Sequence, residues 1–400
     1  MKPSMDWPLH ASEVRPWQQM VRRGPRADRT VTQVEVRLPP FIGELDVRLS
    51  GPLIAVGEKA ARDATTLDSG MGRQLASLGG FLIRTESVAS SKIEHIDASI
   101  EDFARALIGI KSNDSATSMV AAIGALTSLI EKAGDGEIAI SDILEAHRQL
   151  MFEDPVDAAT AGQFRQVQNW IGGSDFSPRG ALYVPPPYEL VEALMADLMI
   201  FVNREDIPAL AQAALAHAQF ESIHPFVDGN GRIGRALINA VLRRRGVTTS
   251  TVIPIASVLV ADRDRYFRLL DDYRLGAVDE LVELMCAATS LASKEAEASA
   301  TVLAGLPDIW RSAVRPRKGS AADRMLDFML DLPVFTVDQV VTRTGTNLAS
   351  AYQAVERLEQ EAIIYEITGR KRDRVWAASD VLEELDALNA RVAMRVSPAP

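Results

Sequence analysis

The sequence predicts a mainly α-helical protein, and three observations carry that prediction. Apolar residues recur at three- and four-residue steps from about residue 52 to about residue 300. This texture is broken by a glycine- and proline-rich segment, Ala161 to Pro187. After a basic stretch, a short run of three helices and two strands follows the order of a winged helix-turn-helix. With 400 residues and 47% hydrophobic content, the chain exceeds one ordinary core, so two or three domains are expected.

Residues 1 to 50 hold Trp7, Trp17, Pro39 and Pro40 among alternating polar and apolar positions, which reads as an irregular arm with one short strand at Thr30 to Arg37. Leu75, Leu78, Leu82 and Ile83 fall in helical phase, as do Ile100, Phe103, Ala104 and Leu107. A polar stretch, Lys111 to Thr117, opens a second helical series through Val120, Ile123, Leu126, Leu144, His147, Leu150 and Met151. Between Ala161 and Pro187, Gly162, Gly172, Gly173, Pro178, Gly180 and three consecutive prolines alternate with Phe164, Trp170, Tyr183 and Val184, as in a structured loop or hairpin. The basic stretch Arg311 to Ser320 has little to bury and reads as a linker. Beyond it a helix over Ala321 to Leu330, a short helix from Thr336 to Gly345, a helix over Leu348 to Gln360, and strands at Ile363 to Ile367 and Arg374 to Ala377 are expected. The expected segmentation is 1–110, an arm and helical segment; 111–300, the helical core; 301–320, a linker; 321–380, the winged helix; and 381–400, a tail.

A net charge of -11 would repel a phosphate backbone globally, so any nucleic-acid contact must rest on a local patch. The start of the chain lacks the apolar run of a signal peptide, and the most apolar stretch, Val120 to Ile130, is broken by Thr127 and Ser128. The single cysteine, Cys286, lies on an apolar helical stretch and reads as core. A reducing cytoplasm is the expected location.

The chemistry concentrates in His224-Pro225-Phe226-Val227-Asp228-Gly229-Asn230-Gly231-Arg232-Ile233-Gly234-Arg235, between apolar helices expected at Ala209 to Phe220 and Ile233 to Leu242. Gly229 and Gly231 permit a nest of inward amides at a helix start, which suits phosphate. Arg232 and Arg235 share a face of the first turn, where cations are unfavourable unless an anion lies opposite. Asp228 beside that nest suits a divalent cation, with Mg2+ fitting one carboxylate plus phosphate oxygens, so a nucleotide with magnesium is implied. His224 titrates near neutrality and can take a proton from a hydroxyl poised over the phosphate.

This loop resembles the signature of the Fic (filamentation induced by cAMP) family, and His224 to Arg235 agrees with it at every fixed position. The resemblance implies a Fic-type helical core with a β-hairpin flap and transfer of AMP from ATP to a Ser, Thr or Tyr hydroxyl of a target protein. It makes His224 the base, Asp228 the magnesium ligand, Gly229, Asn230, Gly231 and Arg232 the phosphate cradle, and Arg235 the partner of the terminal phosphate. The segment from Gly162-Gln163-Phe164-Arg165 to Tyr183-Val184-Pro185 looks like the family's flap, which clamps the target by strand addition. Tyr266, in Ala261 to Phe267, resembles a residue bordering the adenine.

Upstream, Ser90-Ser91-Lys92-Ile93-Glu94-His95 resembles the family's inhibitory motif, with His95 where Gly or Asn is usual. The resemblance implies that Glu94 competes with phosphate for the guanidinium of Arg235. Removal of AMP within the same fold, and a nucleotide-sensing DNA-binding regulator, remain open beside transfer. The wing holds Arg370, Lys371, Arg372 and Arg374, whereas Asn347 to Glu361 carries only Arg357 against three glutamates, so the last domain is as suited to docking protein as DNA. A homodimer is plausible by the same resemblance.

Overall fold

The computed structural model describes residues 7–19, 24–70, 75–110, 112–369 and 374–396, with backbone only at 75–77. The chain begins with β1 (Ala11–Pro16), α1 (Arg26–Arg29) and β2 (Gln33–Leu38). Helices α2 (Gly51–Gly70), α3 (Leu75–Ile93), α4 (Ile100–Leu107), α5 (Asp114–Gly134) and α6 (Ile140–Met151) follow. After the glycine- and proline-rich segment come α7 (Val191–Val202), α8 (Ala209–Ile223), α9 (Asn230–Arg244), α10 (Ile255–Ala261), α11 (Arg263–Arg274) and α12 (Asp279–Val314). The chain closes with α13 (Ala321–Phe328), β3 (Val334–Thr336), α14 (Val337–Thr344), α15 (Leu348–Gln360), β4 (Ile364–Glu366), β5 (Val375–Ala378) and α16 (Ser379–Val396). The protein is mainly α, as its periodicity predicts. Among the described residues no helix is long and apolar enough to cross a membrane.

The chain divides into two compact units, each assembled from separate stretches rather than from the sequential segments expected. The first comprises 1–61, 124–247 and 263–287. Its centre is α8, in which every residue from Leu210 to Ile223 is buried, so the helix is covered on all sides by its neighbours. Helix α9 lies close along it: a Cβ on Gly234 would stand 2.6 Å from Oε1 of Glu221. The amino-terminal arm holds two strands where one was expected. Ala11–Pro16 pairs antiparallel with Gln33–Leu38, and because β1 is exposed at nearly every position it carries no alternation to read. Val34 and Val36 pack this hairpin on Val184. The expected flap hairpin is a loop closed by one bridge, Ile171 with Tyr183, because left-handed Gly172, Gly173 and Gly180 turn the backbone out of the extended conformation a ladder needs. Cys286 is core, and burial pushes its thiol up to about 12.

The second unit comprises 62–123, 248–262 and 288–400. Within it α10 packs on α3 and on α16. Asp68 pins the Thr249 to Thr251 turn, accepting from the amides of Thr249, Ser250 and Thr251 and from the Thr249 hydroxyl at 2.6–2.9 Å. The short helix expected from Thr336 to Gly345 forms as α14, with a Thr336/Gln339 capping box and a left-handed Gly345 at its end. The two expected strands gain a third, in the order β3-β5-β4, and α4 packs on that sheet through Ala104. Two expectations are corrected. The linker over 301–320 is largely helical, because Leu303, Leu306, Trp310 and Val314 form a buried stripe that carries α12 past Pro307. The tail over 381–400 is helical through Val396, because Val381, Leu382, Leu385, Leu388 and Val392 are buried at helical spacing. Arg370, Lys371 and Arg372 of the expected wing lie outside the described residues.

Candidate active site

Helix α8 ends on His224, whose backbone is left-handed (φ 50°, ψ 60°) and whose amide donates to the carbonyl of Phe220 at 2.9 Å. A non-glycine residue held there costs of order 1 kcal/mol, and such strain clusters at functional positions. Three residues hold the loop that follows. Asn230 accepts from the Phe226 amide at 2.8 Å and donates to the Phe226 carbonyl at 2.9 Å, so its side chain closes the loop like a strand partner. Asn169 donates to the same carbonyl at 2.9 Å. Arg165, 1% exposed, donates to the carbonyls of His224 at 2.9 Å, Val167 at 3.1 Å and Pro186 at 2.6 Å. Burial lowers its pKa only to about 10, so it stays cationic at neutral pH.

The turn into α9 is made at Gly229, with φ 75°. Gly231, expected to share that freedom, is an ordinary helical residue, and what the turn needs is a single left-handed glycine. Arg232 sits in the first turn of α9 and Arg235 in the second, and both are buried, at 5% and 1% exposed. Asp228 is exposed and lies 3.5 Å from Nη2 of Arg232. Nearby Asp157 has its pKa raised, by burial first and then by the charges of Asp228 and Asp154. Two cations at a helix start oppose the dipole, an arrangement that an anion opposite would relieve. Asn230, expected in the phosphate cradle, spends its amide on Phe226, which leaves its backbone to face a ligand.

Other expected positions fall differently. Tyr266, expected beside the adenine, is wholly buried, and its hydroxyl lies 2.7 Å from Nε2 of His217. Tyr183, Val184 and Pro185 do not form an open docking edge. All three are buried; the Tyr183 hydroxyl donates to the Ser222 carbonyl at 2.7 Å, its ring lies under Arg274, and the Val184 carbonyl accepts from the Arg37 amide of β2 at 2.9 Å. Leu182, next to them in the chain, is 85% exposed. In the second unit, Ser90 is buried on α3 and Glu94 is exposed just past its end. The Ile96 amide donates to the Ser91 carbonyl at 3.1 Å and the His95 amide to the Lys92 carbonyl at 3.0 Å, a Schellman ending with His95 left-handed at φ 59°. That geometry gives a physical reason for Gly or Asn at this position in the motif it resembles.

The braces Arg165, Asn169 and His147 were not read as site residues from the sequence. Arg165 and Asn169 lie within the expected flap segment, and an arginine among prolines and glycines is the signal that marks it.

A helix opened by a left-handed glycine and two buried guanidiniums defines the class, a helical core built to receive an anion. Residues 137–242 match the Fic/DOC family. The chain is 36% identical over 146 residues to a protein adenylyltransferase Fic of Drosophila erecta, covering 36% of this chain and 26% of that one. It is 33% identical over 171 residues to a protein adenylyltransferase fic-1 of Caenorhabditis briggsae, covering 42% of this chain and 30% of that one. The chain thus spans less than a third of the length of these relatives. In fold it is similar to a Fic family protein from Desulfovibrio desulfuricans G20, at 19% identity and a TM-score of 0.52, over 83% of this chain and 97% of that one.

Proposed function

We propose that the protein is a protein adenylyltransferase that moves AMP from ATP to a side-chain hydroxyl of a target protein. The observation that carries this reading is the pairing of left-handed His224 at the end of α8 with left-handed Gly229 and buried Arg232 and Arg235 at the start of α9. The names of the curated relatives support it.

In this reading the triphosphate lies over the first turn of α9, with Arg232 and Arg235 opposing its charge. His224 takes the proton of the incoming hydroxyl, that oxygen bonds to the α-phosphorus, and the bond to pyrophosphate breaks. The donor set fits Mg2+ held jointly with substrate: Asp228 offers one exposed carboxylate, and no group of three metal-ligating residues occurs among the described residues. Bound there, Mg2+ would neutralise phosphate charge. General-base help contributes about 10² to 10⁴-fold, and positioning most of the rest. Glu94 is the restraint in this scheme. Cytoplasmic operation suits this chemistry.

The carboxy-terminal assembly favours a protein partner over DNA. Arg357, the one cation of α15, donates to the carbonyls of Val314 and Arg315, and Leu348 and Tyr352 of α15 are exposed.

Incubation with α-labelled and, separately, γ-labelled ATP tests the reaction. Label transferred to protein from the α position alone supports adenylyl transfer, and label from the γ position would replace it with phosphoryl transfer.

A further inference from the structure

Helix α6 turns Ile143, Ala146, His147, Leu150 and Met151 inward, and His147 is 1% exposed. Its ring meets polar partners from two other segments. Nδ1 lies 2.9 Å from the amide of Gly162, which can only donate, so Nδ1 is the acceptor and carries no proton. Nε2 lies 3.1 Å from the carbonyl of Asp228, which can only accept, so the proton resides on Nε2. The network therefore selects one neutral tautomer. The ring also stacks on Phe226 with centroids 3.7 Å apart and planes 4° from parallel. Its Cδ2 lies 3.4 Å from where a Cβ on Gly229 would stand. Gly162 itself has φ 74°, and a Cβ there would meet Cβ of Arg148 at 2.9 Å, so the flap starts hard against α6.

We propose that His147 is a positioning residue that fixes the start of the flap to the signature loop and aims the Gly229 amide at the substrate phosphates. The inference rests on the transferase reading above. A peptide group is planar and trans, so its N–H points opposite to its C=O. Holding the Asp228 carbonyl toward His147 therefore directs the Gly229 N–H, at the N-cap of α9, away from the His147 ring. The same ring holds Gly162, so flap and loop keep one mutual geometry.

Three variants separate positioning from packing. His147→Phe keeps the stack and loses both hydrogen bonds; His147→Asn keeps an acceptor near the place of Nδ1; His147→Gln keeps a donor near the place of Nε2. Expected for His147→Phe are a melting temperature lowered by no more than the few degrees that two lost hydrogen bonds cost, Gly162 amide exchange faster by ~10-fold or more, and kcat, measured well below that transition, lower by ~100-fold. His147→Gln should recover most of kcat, and His147→Asn most of the Gly162 protection. A packing role predicts the reverse, with phenylalanine the mildest change. Wild-type kcat and Gly162 protection in His147→Phe would overturn the proposal. So would nitrogen-15 shifts of the wild-type protein that place the proton of His147 on Nδ1. The exchange and nitrogen-15 readouts need no nucleotide, so a wild-type protein that transfers nothing would count against the transferase reading alone.

Discussion

The carboxamide of Asn230 closes a two-bond ring on the backbone of Phe226, accepting from its amide at 2.8 Å and donating to its carbonyl at 2.9 Å. The first residue of α9 thus fixes the loop that leads into it, and His224 is held within the same frame. Asn230→Ala removes both bonds inside a buried site. At about 1 kcal/mol for each bond, the protein should lose about 2 kcal/mol of stability, and transfer should fall by ~100-fold as the loop drifts. Denaturant midpoints and initial rates check both numbers. Asn230→Asp keeps the acceptor and should retain more stability than the alanine.

Arg165 ties the flap segment to the loop through the carbonyls of His224, Val167 and Pro186. Arg165→Met fills the volume but strands three buried carbonyls, so a loss of about 3 kcal/mol is expected. Limited proteolysis should then cut between residues 163 and 187 sooner than in wild type.

Asp68 supplies a pH signature. Burial acts to raise its pKa, but the hydrogen bonds from Thr249, Ser250 and Thr251 outweigh burial and leave it lowered. A carboxylate with a depressed folded pKa adds stability above its unfolded value of about 4 and loses it as pH falls through the folded value. Asp68→Asn should therefore cost about 2 kcal/mol at neutral pH. Its deficit against wild type should shrink progressively below about pH 4, as unfolding curves across pH will show.

His95 occupies the left-handed position of the Schellman ending, where an L side chain costs about 1 kcal/mol. His95→Gly should stabilise the protein by up to that amount. A melting temperature that falls instead would show that the imidazole makes a contact worth more than the strain.

A DNA-reading role for the carboxy-terminal elements is expected to fail. Arg374 lies over the ring of Trp376 at 4.8 Å and 3.5 Å from Glu359, and Arg357 is spent on two carbonyls. Gel shifts with duplex DNA should show no tightening as salt is lowered, whereas a reader making several phosphate contacts would gain affinity steeply.

Much of this was legible in the sequence because the signals were local. The loop from His224 to Arg235 is contiguous, and its glycine and arginine spacing states its own geometry. Helices with one apolar face, such as α4 and α14, announce themselves by period. What escaped depends on partners distant in sequence. Tyr266 falls at helical spacing, which places it on a face but cannot say that His217 lies across from it. His147 sits in phase with core residues, and its two hydrogen bonds reach residues 15 and 81 positions away. Val184 belongs to the expected target-docking flap, yet its carbonyl is taken by Arg37, 147 positions earlier, on a strand whose partner β1 has no apolar pattern. Helix α16 was hidden because charged residues between its apolar ones resemble a solvated tail until the burial of Leu385, Leu388 and Val392 is seen.

The central claim is that the loop between α8 and α9 transfers AMP and that Glu94 restrains it. Intact mass after incubation of wild type, Glu94→Gly and His224→Ala with ATP and Mg2+ tests both parts at once. The account predicts a gain of one or more AMP groups in Glu94→Gly, little or none in wild type, and none when His224→Ala is added to Glu94→Gly. Retained labelling without His224, or no labelling in any variant that still binds ATP, would contradict it.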